Sequence, residues 1–493
     1  MPTTPPQPAP IRAGSPPGPQ GWGFVRLLPQ LTRDPLGAFT HIARTYGPLV
    51  YLHLGDVETY LVNHPDLVRH VLRDRATTYT RGKLLDDLRP LIGQGLFTSE
   101  GDLWKQQRRL VGHAFRTEYD AAVGAALRTE LDALLSTWQD GEVVDVQAAM
   151  KRLLLRVMTR TMFAPAWQID ADAMIADLDI VLQHASLANN FLRRVWNGTP
   201  GLRRLRPPGT ARATAALARI DTITYDVIER ATLHDTPNGD DPRALAPAPL
   251  LRLLLDAEAQ GMLDRKQIRD ELNTFLFAGF DTTAGALSTA WMSLGTHANV
   301  RARMDAELDA ALGDRTPTLA DLRALPYTEA VLHETLRLYP PAWAYHRIAL
   351  EDDVMPDGSD TDDGETDDSE TDDGETDDGA GWHVPTRAHV MLCPYALHRH
   401  PDFWDRPDAF DPTRFLKADG TPDAFVGLHY APFGFGRHIC IGRRHALLQA
   451  HLVLATLGQR LHLDPTWSEP PRLDAGIILK AKGGLPMRVA VRR

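Results

Sequence analysis

The chain has 493 residues, 43 % hydrophobic and 24 % charged, a composition that gives a globular protein enough apolar mass for a large core. Its formal net charge of −11 is local in origin: residues 351–379 hold 16 of the 64 acids and no Lys or Arg, leaving 48 acids against 53 bases elsewhere. A mildly basic body without a basic stripe argues against nucleic acid as a partner, and a count of two cysteines, Cys393 and Cys440, argues against a disulfide framework or a thiol-only zinc site.

Residues 1–21 are proline-rich and read as an extended, disordered tail ahead of one body spanning 22–493. No apolar run approaches the ~18 residues that span a bilayer. The N-terminus has no basic-then-apolar signal, so a cytoplasmic protein with no membrane contact is expected. A short amphipathic helix over 36–46 precedes alternating residues at 48–62 that suggest a β-hairpin around Gly55. Helical patterns follow at 65–74, 100–115, 119–139, 146–163 and 211–234, with Asp145 placed to cap the fourth. Residues 263–297 form a strongly apolar helix or helix pair, and 299–311 and 325–338 are helical too. After about 348 the pattern turns to strands, 348–354 and 382–392. A last helix is expected over 441–460, with strand pairs over 476–492. The fold class is mainly α with small β-sheets, in a single large domain.

Four tandem acidic pentads fill 360–379. Like charges at this density repel and leave nothing to bury, so a surface loop is expected, inserted at about 356–381 between two strands. No register through the pentads matches the ligand spacing of an EF-hand loop.

The chemistry concentrates in Phe433-Gly434-Phe435-Gly436-Arg437-His438-Ile439-Cys440-Ile441-Gly442. Gly434 and Gly436 let the backbone turn tightly and approach a flat ligand. Cys440 stands just before a helix, whose free N–H groups and dipole favour a low-pKa thiolate. A lone thiolate from one loop suits an axial ligand of haem, whose porphyrin supplies four other donors. Cys393, within an apolar run, reads as a small buried hydrophobe.

These residues resemble the signature of the cytochrome P-450 family, Phe-x-x-Gly-x-Arg/His-x-Cys-x-Gly, filled by Phe433, Gly436, His438, Cys440 and Gly442. Three further motifs fall in the family's order. Ala278-Gly279-Phe280-Asp281-Thr282 sits in the apolar helix, where a threonine hydroxyl can bond back to the carbonyl four residues earlier and open the helix. The resemblance casts Asp281 and Thr282 as an acid–alcohol pair delivering protons during dioxygen activation. Glu334 and Arg337 share a helix face; read alone they are a surface pair worth little. The resemblance makes them a structural network completed by Arg414. Trp104 and Arg108, four apart, could both reach one haem propionate, and Arg347 and His438 occupy positions that bind propionates in relatives.

The resemblance implies the cytochrome P-450 fold and a haem-thiolate monooxygenase using haem b and O2. It would hydroxylate or epoxidise a lipophilic small molecule in specialised metabolism, a terpenoid or polyketide-derived scaffold. Fatty-acid hydroxylation is the alternative substrate class. A peroxide-using or isomerising haem-thiolate enzyme is the alternative chemistry, and the intact Asp281 and Thr282 argue against it. No flavin or iron–sulfur segment is evident in the chain, so electrons from NAD(P)H would pass through a separate ferredoxin and ferredoxin reductase to a monomeric enzyme. The substrate pocket expected by analogy draws on segment 80–97, the 187–195 region, Phe277, Ala278, Trp343, Tyr345 and Ile478.

Overall fold

The structure is a computed structural model describing residues 16–19, 22–54, 57–81, 88–185, 209–234, 246, 248–356, 381–423 and 427–492. Most of the proline-rich tail, the 187–195 region, part of segment 80–97 and the acidic pentads lie outside the described residues.

In chain order the longer helices are α1 (Trp22–Arg33), α2 (Pro35–Tyr46), α3 (Gly101–Gly112), α4 (Asp120–Thr137), α5 (Val146–Met158) and α6 (Ala171–His184). They continue with α7 (Thr210–His234), α8 (Pro249–Ala259), α9 (Arg265–Ala278), α10 (Asp281–Thr296), α11 (Ala298–Leu312), α12 (Pro326–Leu338) and α13 (Arg443–Arg460). The strands are β1 (Leu49–Leu54), β2 (Val57–Val62), β3 (Tyr79–Thr80), β4 (Val143–Asp145), β5 (Tyr345–Ala349) and β6 (Asp353–Pro356). After them come β7 (Gly381–Val384), β8 (His389–Leu392), β9 (Leu461–Pro465), β10 (Leu473–Ala475), β11 (Leu479–Ala481) and β12 (Pro486–Val491).

Local chemistry sets many of these boundaries. Asp34, Asp145, Asp170 and Asp264 each accept a backbone N–H at a helix start, and Asp264 completes a capping box with Gln267. Pro35, Pro249 and Pro326 occupy first-turn positions, where the missing N–H costs nothing.

The chain falls into two compact units. The first comprises the described parts of Met1–Gly82, Ala344–Asp405 and Gly434–His438. It holds a five-stranded sheet in the order β1-β2-β8-β5-β3, in which only the β2–β8 pairing is parallel. Leu49, Val62, Val71, Met355, Val390 and their neighbours form its core. The second comprises the described parts of Lys83–Trp343, Arg406–Phe433 and Ile439–Arg493. It carries α3 to α13, the sheet β4-β12-β9 and the β10–β11 hairpin around a larger apolar core.

The expected strands 348–354 and 382–392 each divide in two. Thr386 donates its N–H to Asp352 and its hydroxyl to the Leu350 carbonyl, and Arg387 has φ +67°. This turn hands β5 and β8 to the large sheet and leaves β6 and β7 as a separate antiparallel pair. In the sequence the acidic insertion lies between β6 and β7, whose ends Pro356 and Gly381 are paired. Asp353 anchors that hairpin, accepting from Tyr79 Oη at 2.6 Å and lying 2.8 Å from His70 Nε2. Helices α1, α6 and α8 were not anticipated from the sequence.

Candidate haem-thiolate site

The second unit holds the cysteine and the acid–alcohol pair. The apolar stretch 263–297 is a helix pair, α9 and α10, broken at Gly279 and Phe280. A side chain at 279 would meet the Phe275 carbonyl at 2.7 Å and Met158 Sδ at 2.8 Å, so glycine is needed for packing as well as for the bend. Thr282 donates to the Ala278 carbonyl at 3.0 Å, the back-bond foreseen from the sequence. Asp281 opens α10, where the free N–H groups favour a carboxylate. It is 3 % exposed, its Oδ1 lies 3.1 Å from Lys151 Nζ, and its Oδ2 has no hydrogen-bond partner among the described residues.

Lys151 was missed by sequence reasoning. It projects from α5 among apolar neighbours, 7 % exposed, and also donates to both oxygens of Asp179 on α6, at 2.9 and 3.2 Å. Lys480 on β11 donates to Asp179 at 2.9 Å. Burial alone would lower the Lys151 ammonium; the Asp281 and Asp179 carboxylates outweigh it and hold it above its ordinary value. Burial would likewise raise Asp179, but Lys151 and Lys480 hold it below the usual carboxylate range. The signal available in the sequence was a lysine inside Ala149-Met150-Lys151-Arg152-Leu153, on a helix whose inner face is otherwise apolar.

Cys440 precedes α13 by a turn: the helix begins at Arg443, two residues later than expected. The Cys440 N–H donates to the Phe433 carbonyl at 3.0 Å and closes the loop. The Gly442 and Arg443 N–H groups donate to its sulfur, and the Arg108 guanidinium on α3 acts on it electrostatically. The thiol is solvent-exposed but has dense protein around it. Desolvation by that protein mass pushes its pKa up, past what the two N–H donors and the Arg108 and Arg443 charges take back. The expectation of a low-pKa thiolate therefore fails for the free side chain. Sequence motifs reveal the donors but not the desolvation.

Trp104 is buried and Arg108 half-buried one turn later on α3. Phe433 is half-buried and packs on the second unit's core. Phe277 is buried against Phe97, with ring centroids 6.0 Å apart, and Ala278 is half-buried. Trp343 is buried and donates its indole N–H to the Gly476 carbonyl at 2.9 Å. Ile478 is buried at the β10–β11 hairpin; a side chain at Gly285 of α10 would lie 3.8 Å from it.

The Glu334 pair is fully buried, so the inexpensive surface reading does not apply. Arg337 Nε and Nη2 donate to Glu334 at 2.6 and 2.8 Å, and its Nη1 and Nη2 donate to the carbonyls of Pro407 and Ala409 at 2.7 and 2.9 Å. Arg414 Nε stands 3.3 Å from Glu334, which also accepts the Asp411 N–H at 2.7 Å.

Arg347, Tyr345, Gly436 and His438 belong to the first unit. Arg347 is buried, donates to the His346 carbonyl at 2.9 Å and lies over the Tyr345 ring at 5.9 Å. Tyr345 and His438 are half-buried. Gly436 has φ +67°, and a side chain there would meet the Leu72 carbonyl at 1.9 Å, so the close approach it permits is to that carbonyl.

A sequence model described as cytochrome P450 matches residues 16–362 and 375–486. The chain belongs to the cytochrome P450 family. The unmatched interval, 363–374, falls inside the acidic pentads. Cyclooctat-9-en-7-ol 5-monooxygenase of Streptomyces melanosporofaciens is 33 % identical over 450 residues, 90 % of this chain and 89 % of that protein. Cyclooctatin synthase of the same organism is 32 % identical over 436 residues, 88 % and 87 % of the two chains. The crystal structure of the cytochrome P450DA heme domain matches with a TM-score of 0.77 at 25 % identity, covering 97 % of this chain and 98 % of that one. This P450 is thus a monooxygenase with a haem iron as its cofactor, O2 as co-substrate and a lipophilic substrate, built on the mainly α fold of the family. Among the described residues no helix is long and apolar enough to cross a membrane.

The donor set fits that cofactor. Among the described residues no group of three or more His, Cys, Asp or Glu could hold a metal ion by itself. A single exposed sulfur with two N–H donors behind it fits an iron whose other donors come from a porphyrin. At Gly434, φ +73°, an added side chain would meet nothing within 4 Å among the described residues.

Proposed function

We propose that this P450 oxidises a terpenoid, by hydroxylation or epoxidation, with Cys440 as the residue whose sulfur would hold the haem iron. The broken helix carries the reading: Thr282 is tied back to Ala278, and Asp281 beside it has one carboxylate oxygen without a hydrogen-bond partner among the described residues. A peroxide-using or isomerising enzyme has no need of such a pair. The terpenoid class is supported by the two Streptomyces relatives, one named for the alcohol cyclooctat-9-en-7-ol and the other for cyclooctatin.

The roles divide by element. Cys440 donates its sulfur, and the Gly442 and Arg443 N–H groups temper the negative charge that sulfur carries once deprotonated. A bound haem iron would take the place of the proton that desolvation otherwise favours on Cys440. Trp104 and Arg108 present an indole N–H and a guanidinium from one helix face to a propionate, a role extended by resemblance to Arg347 and His438. Phe433, Gly436 and Gly442 shape the loop that carries the sulfur. The haem iron, when bound, supplies the activation of dioxygen. Asp281 takes up a proton on Oδ2, and the Thr282 hydroxyl holds and passes it toward the reacting oxygen. Phe277, Ala278, Trp343 and Ile478 of the second unit are assigned to an apolar wall that excludes water and orients the substrate, and the resemblance extends the same role to Tyr345. Glu334, Arg337 and Arg414 hold the segment ahead of the cysteine loop without touching substrate.

Electrons come from NAD(P)H through a separate ferredoxin and ferredoxin reductase, to a monomer in the cytoplasm. Optical titration of the holoenzyme with terpene alcohols and with fatty acids tests the substrate class. Displacement of the iron-bound water by the terpenoids at the lower concentration supports the proposal; tighter binding of the fatty acids reassigns the substrate.

A further inference from the structure

Tyr430 stands three residues before Phe433, whose carbonyl accepts the Cys440 N–H at 3.0 Å. A short run of backbone and one hydrogen bond therefore connect its ring to the residue that carries the sulfur, and Arg443, just beyond Cys440, acts electrostatically on its phenol. Tyr430 Oη lies 2.8 Å from Nδ1 of His333 on α12 and 3.2 Å from the carbonyl of the same residue. On the far side of that imidazole, Nε2 is 3.9 Å from Glu329, one turn earlier. An ionised carboxylate only accepts, so Glu329 favours the ring proton on Nε2 and leaves Nδ1 as the acceptor for the phenol. Phe415 fixes the pair: its ring is stacked on His333 at 5.4 Å and tilted against Tyr430 at 5.0 Å. Burial and the Glu334 carboxylate hold the phenol well above its ordinary pKa, and the His333 contact holds Glu329 below the usual carboxylate range. Tyr430 is thus a buried phenol, and a bare radical cation there would be costly. It can give up an electron only if its proton leaves too, and Nδ1 is placed to take that proton.

We propose that Tyr430 is a one-electron donor to the haem, drawing off an oxidising equivalent when dioxygen is activated with no substrate in place. One electron leaves the phenol for the haem, and in the same event one proton moves from Oη to His333 Nδ1. The protein is left with a neutral phenoxyl radical at Tyr430 and an imidazolium at His333, whose Nε2–H faces the Glu329 carboxylate. The reductant that serves turnover then returns one electron to Tyr430, and Nδ1 returns the proton, which restores the phenol. The inference goes beyond substrate oxidation and rests on Cys440 as the residue that holds the iron.

The test mixes the substrate-free holoenzyme with a peracid as oxidant, freezes it rapidly and reads the electron paramagnetic resonance spectrum. Wild type should give a tyrosyl signal that narrows when its tyrosines are ring-deuterated. The chain has 11 tyrosines, so Tyr430→Phe, which keeps a ring against Phe415, decides the site: the signal should be lost. His333→Gln should lose most of it, and in wild type it should form more slowly in heavy water. Haem absorbance destroyed per peracid consumed should rise in Tyr430→Phe, the equivalent now reaching the porphyrin. No tyrosyl signal in wild type, or a signal of equal size in Tyr430→Phe, overturns the proposal. A signal lost in Tyr430→Phe but unmoved by both His333→Gln and heavy water overturns the paired proton step. Should His333→Gln fail to hold haem, the heavy-water effect on wild type still decides that step. Failure of Cys440 as the iron's ligand shows separately, in the carbon-monoxide band of the reduced protein.

Discussion

Glu271 offers the sharpest test of the electrostatic picture, because its sign is unusual. Its carboxyl is fully buried on α9, Oε2 accepts the Leu96 N–H at 3.1 Å, and Oε1 has no partner among the described residues. Burial pushes it up to about 8; the Leu96 N–H opposes the rise and neighbouring Asp270 adds to it. The ordinary value is 4.5. Between about 4.5 and about 8 the folded protein therefore keeps a proton that the unfolded chain has released, and stability falls as pH rises. Below that window both states are protonated, and above it both are ionised, so the slope vanishes at either side. At about 1.4 kcal/mol per pH unit the whole window is worth on the order of 5 kcal/mol. Glu271→Gln keeps the shape of the protonated acid and cannot ionise. Any fixed cost of its amide, about 1–3 kcal/mol if one N–H lacks an acceptor, applies at every pH. Thermal or urea unfolding of wild type and variant, at matched haem content, should show the variant gaining a few kcal/mol on wild type between pH 5 and pH 8.5. A difference between the two proteins that stays constant across that range refutes the reasoning. The residue matters to the site because it ties the segment holding Leu96 and Phe97 to the helix that carries Phe277.

Arg337→Met should be more damaging than any surface change: it removes at least four hydrogen bonds and leaves Glu334 with Arg414 and the Asp411 N–H. Breaking a buried pair costs about 3–5 kcal/mol, a large part of a domain's net stability. Loss of bound haem and a lowered unfolding midpoint are expected, and a variant with wild-type haem content and midpoint would contradict the structural role. Thr282→Ala should retain haem but divert electrons from product to peroxide; full coupling of NAD(P)H use to product would remove the hydroxyl from the relay. Deleting 360–379 should leave haem content unchanged, since the β6–β7 pairing and the Asp353 anchor carry the hairpin without it; haem loss would make the pentads structural.

How legible the site was depended on whether its determinants lie along one segment. Phe433 to Gly442 could be read directly because the loop's turns and its sulfur are local. Asp281 and Thr282 stood out because polar groups in an apolar helix demand an explanation, and the back-bond to Ala278 follows from four-residue spacing. The Glu334–Arg337 pair was visible as a pair, but its complete burial comes from Pro407, Ala409, Asp411 and Arg414 folding over it. Lys151 and Asp179 were not legible, since nothing in α5 or α6 announces that α10 will pass beside them. The Cys440 acidity was misjudged for the same reason: the N–H donors are local, whereas the desolvation comes from the surrounding protein. The strands around 350 and 386 were run together because the turn that splits them depends on Thr386 bonding back to Asp352 and Leu350.

The most direct test of the whole account is the carbon-monoxide difference spectrum of the reduced protein before and after Cys440→Ser. Wild type should show the red-shifted band of a thiolate-bound haem, and the variant should lose it while any haem it retains absorbs like a haem without sulfur ligation. A variant that keeps the red-shifted band would put the iron's ligand at another residue and contradict the account at its centre.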